Sequence, residues 1–148
     1  MRKLIVLCAM CATILTAFAQ NVQEKTFCGY LYNDDYKVYL KIDFHDNNIT
    51  VPGQEVFGTM PGYLGALRDS RKWLITSADI INAKMANIAI TNDYGSEDLE
   101  ATLECKEDGS YILRQTSGSR IKIVVDRKWV KLPSELTFVH SEPKKDLW

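Results

Sequence analysis

The sequence predicts an all-β fold: an antiparallel up-and-down meander of about eight to ten strands, closed or nearly closed into a barrel. Three observations carry that expectation. Leu99, Ala101, Leu103 and Cys105 alternate with Glu100, Thr102, Glu104 and Lys106, the period-2 signature of a strand with one buried face. Glu107-Asp108-Gly109-Ser110 and Ser117-Gly118-Ser119 then mark off two further strands, Tyr111 to Thr116 and Arg120 to Val125, joined by short glycine-containing turns. Earlier in the chain, Tyr36, Val38, Leu40, Ile42 and Phe44 point one way while Lys37, Tyr39, Lys41 and Asp43 point the other. Sequential hairpins fit a barrel, which closes both sheet edges, better than a two-sheet sandwich with Greek-key crossings.

The N-terminus reads as an address rather than as part of the fold. Met1-Arg2-Lys3 is a short positive region, Leu4 to Leu15 is apolar, and Ala17-Phe18-Ala19 is an A-x-A cleavage site. Residues 1–19 are therefore expected to be a signal peptide cleaved after Ala19, which places the protein in the periplasm or outside the cell. The apolar run is short for a membrane anchor, and no later segment is long enough to span a bilayer. Cys8 and Cys11 lie inside the apolar region, without the flanking residues of a lipid-attachment signal. A single domain over 20–140 and a polar tail over 141–148 remain. The chain holds 18 Lys and Arg against 19 Asp and Glu. Two of those cations sit in the leader, so the rest is mildly acidic, which argues against a general nucleic-acid partner.

Taken in order, Phe27 to Tyr32 reads as the first strand and Tyr36 to Phe44 as the second, with Asn33-Asp34-Asp35 turning between them. His45 to Asn48 is a turn before a third strand at Ile49-Thr50-Val51. Pro52 to Gly65 holds four glycines and two prolines around Phe57, Tyr63 and Leu64, and is read as a broken pair of short strands or a rim loop. Arg68 to Lys72 reads as a charged turn. Trp73 to Ile81 and Met85 to Thr91 form a hairpin rather than a helical insert, because β-branched residues and Asn82 outweigh the helix formers around Lys84. After the meander, Asp126-Arg127-Lys128 turns into Trp129 to Leu132, and Leu136 to Val139 adds a last strand.

Catalytic signals are few. His45 and His140 are the two histidines, no HExxH, paired CxxC or G-x-S-x-G occurs, and no cofactor or protein-held zinc is expected. An enzyme is the least favoured reading, since no acid–base pair announces itself. Asp93, Glu97 and Asp98, with Asn92 and Gly95, offer oxygen ligands for calcium, but their spacing is not that of a twelve-residue calcium loop. A solvated turn is the simpler reading. Arg114, Arg120, Lys122, Arg127, Lys128 and Lys131 follow the acidic stretch from Asp93 to Glu104. Cross-strand pairing of opposite charges explains this better than a basic grip on an anionic ligand. Cys28 and Cys105 either form a disulfide or stay as buried thiols; a bridge would close a loop of about 77 residues, worth on the order of 4.5 kcal/mol.

Aromatic residues are the most suggestive feature. Phe27, Tyr30, Tyr32, Tyr36, Tyr39 and Phe44 crowd one hairpin on both its faces, so some rings lie outside the core or line an interior.

The runs Val51-Pro52-Gly53-Gln54-Glu55, Asn92-Asp93-Tyr94-Gly95-Ser96-Glu97-Asp98-Leu99 and Arg127-Lys128-Trp129-Val130-Lys131-Leu132-Pro133 resemble those of small secreted proteins of unknown function from Bacteroidota-type bacteria. The strand pattern over most of residues 20–140 is similar to that of calycin (lipocalin-like) barrels. Lipocalins carry Gly-x-Trp in the first strand, where this chain has Gly29-Tyr30-Leu31. The resemblance implies an architecture and carries over no functional residue.

The reading is a non-enzymatic binding module for a small apolar or amphipathic ligand, with Phe57, Tyr63, Leu64, Trp73, Tyr30 and Tyr32 near a barrel mouth. The alternative is a protein-interaction module, an inhibitor or envelope-complex subunit, using an exposed aromatic surface. A filled interior beside an exposed apolar face favours the second, and a deep internal pocket the first.

Overall fold

In a computed structural model, which describes residues 25–148, eight strands close into an antiparallel barrel. The leader expected over residues 1–19, with Cys8 and Cys11, lies outside the described residues. The wall is built from β1 (Cys28–Asn33), β2 (Val38–Asp43), β5 (Gly62–Ala66), β6 (Asp69–Asn82), β7 (Met85–Asn92), β8 (Asp98–Cys105), β9 (Tyr111–Gly118) and β12 (Glu135–His140). Neighbours in sequence are neighbours in the wall, and the first and last strands meet through Leu31 opposite His140 and Tyr32 opposite Val139. The all-β barrel expected from the alternation is the architecture found.

Alternate side chains fill the barrel. Leu31, Val38, Leu40, Ile42, Leu64, Ile75, Ile90, Leu103 and Phe138 are almost wholly excluded from solvent and belong to one continuous cluster. An eight-stranded barrel is just wide enough for its own side chains to occupy the axis. Both mouths are stopped as well. At one, Phe27 stacks on Phe44 with centroids 5.8 Å apart and meets the edge of Tyr111 at 6.0 Å. The Phe27 backbone N–H donates to the Tyr111 hydroxyl oxygen at 3.2 Å.

The other mouth is covered by a ribbon the meander pattern did not foresee. The segment expected as the third meander strand leaves the wall: β10 (Lys122–Val125) pairs only with β11 (Lys128–Lys131). Asp126 and Arg127, both at positive φ, make the tight turn between them. Ile121, Ile123 and Leu132 drop into the barrel cluster. The Trp73 indole N–H donates to the Lys122 carbonyl at 3.1 Å, and the Val124 N–H to Asp69 Oδ2 at 2.9 Å. β12 then takes the place beside β9 that the ribbon vacates.

A second excursion folds onto the outside. β3 (Ile49–Thr50) and β4 (Thr59–Met60) pair as a small flap, with a single 3-10 turn at Glu55–Phe57 between them. Under it lie Tyr32, Tyr39, Val51, Met60, Tyr63, Leu67 and Leu74, an apolar cluster separate from the interior. The glycine-rich segment is thus half flap and half wall strand, since β5 is paired on both sides. Asp69 to Lys72, expected as a turn, belongs to β6, and both Asp69 and Lys72 are buried. The β6–β7 pair is a hairpin, as expected, with register shifts after Ile75 and Ile80.

Elsewhere the outer wall is mostly polar, with Ile80 and Ile81 on β6 and Val139 on β12 exposed. Arg114 on β9 reaches Glu135 on β12 at 3.0 Å and Glu104 on β8 at 3.7 Å, the cross-strand charge pairing expected. No helix among the described residues is long and apolar enough to cross a membrane.

Candidate functional site

The six candidate ligand residues divide between two faces of the wall. Leu64 and Trp73 point inward and are core: Leu64 is nearly inaccessible, and Trp73 spends its N–H on the ribbon. Tyr30, Tyr32 and Tyr63 point outward, and Phe57 stands on the 3-10 turn of the flap, 61% exposed. The structure therefore does not gather them at a barrel mouth. It sets four of them around the flap, with a groove on each side.

The groove on the β6–β7 side has a volume of about 580 Å³. Met60, Leu74 and Thr91 are among the residues lining it, and Phe57 and Tyr94 form opposite rims, Tyr94 78% exposed on the β7–β8 turn. That turn is rigidly made. Asn92 Oδ1 accepts the backbone N–H of Ser96 at 2.9 Å and of Glu97 at 3.2 Å, and its Nδ2 donates to Ser96 Oγ at 2.9 Å. Glu97 is engaged by Lys122 Nζ at 2.8 Å. The calcium candidates Asp93, Glu97 and Asp98 do not converge, and no group of three His, Cys, Asp or Glu side chains suited to a metal occurs among the described residues.

The groove on the β1–β2 side, about 380 Å³, is lined by tyrosines. Tyr30 stacks on Tyr39 with centroids 4.9 Å apart, and Tyr39 meets Tyr63 edge-on at 6.0 Å. Their environment is dry enough to shift their titration. Burial pushes all three hydroxyls above the ordinary tyrosine value, Tyr39 furthest, where Tyr63, Asp146 and Tyr30 add to it; the Lys144 N–H opposes the rise at Tyr30 and the Tyr39 hydroxyl opposes it at Tyr63. Nearby on the wall, burial holds the Lys72 ammonium below its usual value, opposed by Asp146, Asp69 and Asp93. The C-terminal tail crosses this groove and supplies Pro143, Lys144 and Asp146 to its lining.

The expected alternative of a Cys28–Cys105 disulfide is overturned: both thiols are free. The reason is strand phase. Cys28 shares the outer face with Tyr30 and Tyr32, beside Asp43, whereas Cys105 packs against the interior cluster. Cys28 is not a primed nucleophile. Burial, then the Asp43 carboxylate, pushes the Cys28 thiol up, away from the thiolate.

No family model, curated protein or solved structure matches this chain. What the site can do is therefore read from its own geometry. Each groove offers apolar residues, aromatic rings and a few polar groups, a lining that can hold a ligand.

Sequence reasoning missed Leu74 and Tyr94. A signal for Leu74 was present: Trp73, Leu74 and Ile75 run without a polar residue, which marks a strand covered on both faces. Tyr94 could have been flagged as a large ring inside an otherwise Asn-Asp-Gly-Ser turn.

Proposed function

We propose that this is an exported, non-enzymatic interaction module, and that the groove between Phe57 and Tyr94 holds an apolar segment of a protein partner. The observation that carries this is an apolar floor, Met60 and Leu74, open between two exposed rings on the outside of a wall whose inside is filled. Val56, 88% exposed beside Phe57, extends the apolar rim. Large apolar side chains held in solvent by a rigid turn and a packed flap are characteristic of interaction surfaces. Among the described residues, Asp93 is the one carboxylate lining the groove and no histidine or cysteine lines it, which supports recognition over catalysis. The leader pattern of residues 1–19 supports export to the periplasm or beyond.

A second reading is favoured by the groove's volume, which falls in the range that encloses a small molecule. In it, a small amphipathic ligand occupies the same groove, and the module is a carrier or sensor of the calycin kind, with its site moved to the outer wall.

One variant separates these. Phe57→Asp with Tyr94→Asp changes exposed rings only and leaves the core untouched. Cross-linking in a cell-envelope fraction is expected to join the wild-type protein to one defined partner protein, and the double variant to lose it. Saturable micromolar binding of anilinonaphthalene sulfonate at Leu74, lost in the same variant, selects the second reading instead. Absence of both sinks the groove as a site.

A further inference from the structure

The C-terminal tail lies on the tyrosine groove as a ligand would. From the end of β12 the chain does not leave the barrel but runs over the outer face of β1, β2 and β5. The Ser141 N–H donates to the Tyr30 carbonyl at 3.1 Å, the Lys144 N–H to the Tyr30 hydroxyl at 3.2 Å, and the Leu147 N–H to the Leu67 carbonyl at 2.6 Å. Lys144 Nζ stands 5.2 Å above the Tyr32 ring. Asp146 carries a negative charge toward Tyr39 and Lys72. These are backbone anchors plus one cation and one anion read by fixed partners, the pattern of extended-peptide recognition. Yet residues 142–148 are all exposed, its large apolar side chains Leu147 and Trp148 at 63% and 66%. A segment with so few buried apolar contacts opens at low cost.

We propose that the tyrosine groove is a second binding site, for an extended peptide of a protein partner, and that residues 142–148 are its tethered, displaceable occupant. The occupant's chemistry follows from what is seated there: a lysine for the Tyr32 face and, two residues on, an acid near Lys72. The partner must out-compete a segment whose tethering gives it an effective concentration on the order of millimolar. The tail thus sets a threshold, and weak peptides are refused until it lifts. This site stands independently of the Phe57–Tyr94 groove, being lined by none of the same residues.

The probe is the tail itself: a fluorescein-labelled peptide of residues 142–148, followed by anisotropy. The chain ending at Ser141 is expected to bind it saturably, and the full chain at least tenfold more weakly, because the tethered copy competes. Lys144→Ala in the full chain removes the cation over Tyr32 from the tethered copy alone, leaving every barrel residue of the groove and the probe unchanged, and is expected to narrow that tenfold gap. A folded truncated chain that does not bind the peptide, or full and truncated chains that bind it equally, overturns the proposal. Should the truncated chain fail to fold, the Lys144→Ala full chain decides: peptide binding no tighter than to the unsubstituted full chain overturns it.

Discussion

Gly65 has no side chain because the ring of Tyr39 occupies the place where a Cβ would stand. The two are cross-strand partners on β5 and β2, so the glycine lets a tyrosine lie flat on the wall and turn its face to Tyr30. Gly65→Ala is expected to destabilise the protein by about 1–3 kcal/mol, the usual cost of overpacking, measured by urea unfolding, and to weaken peptide binding in the tyrosine groove. The same ring has a pH signature. An unfolded tyrosine titrates near 10.0, and burial raises the folded value of Tyr39 above that. Burial of the neutral ring therefore contributes its full stability below pH 10 and loses it as pH climbs toward the folded value. Lys72, whose folded value is depressed, acts in the opposite sense over the neighbouring range. The free energy of unfolding measured from pH 8 to 11 is thus expected to fall less steeply in Tyr39→Phe than in the wild type, Lys72 and the raised Tyr30, Tyr32 and Tyr63 being common to both. That Tyr39 faces away from the core row was legible in its alternation with Val38 and Leu40. What lies on top of it was not, because the cover comes from residues far along the chain.

Local pattern specifies that a segment is a strand, and says much less about which strand it joins. Ile121, Ile123 and Val125 alternate as cleanly as any wall strand, and the sequence accordingly places them third in the meander. The structure pulls them out of the wall through contacts with no sequence periodicity, above all Asp69. Its carboxylate is buried and accepts from the Val124 N–H and from both the backbone and the guanidinium of Arg71. Asp69→Ala leaves those donors without an acceptor and is expected to cost about 2–3 kcal/mol, the range for hydrogen bonds to a charged group. Hydrogen exchange should report it as loss of protection at Val124 while Leu103, on the far wall, keeps its own. Uniform loss across both would mean that the ribbon is integral to the barrel rather than a lid on it. The flap escaped for the related reason that its glycines and prolines suppress alternation just where β5 begins.

At the scale of the molecule, fold class was legible because a period of two survives along β2, β8 and β9, where one face is core and the other water. Closure, expected as closed or nearly so, was legible too, but its seam was not: it depends on β1 finding β12, strands far apart in the sequence. The thiols show the same division. Spacing permits Cys28 and Cys105 to bridge, and the wall between them forbids it. Both are expected to alkylate without prior reduction, as read by peptide mass, and the melting temperature should not depend on reductant.

The seam has a consequence for how the protein comes into being. Until Glu135–His140 have been synthesised, β1 lacks its second neighbour and exposes a row of unsatisfied backbone groups beside an uncovered apolar interior. Until that seam closes the chain keeps an adhesive margin on display, so the hazard of clumping belongs to the unzipped barrel and vanishes once β1 and β12 meet. A chain cut short of Glu135 would leave a sticky open trough.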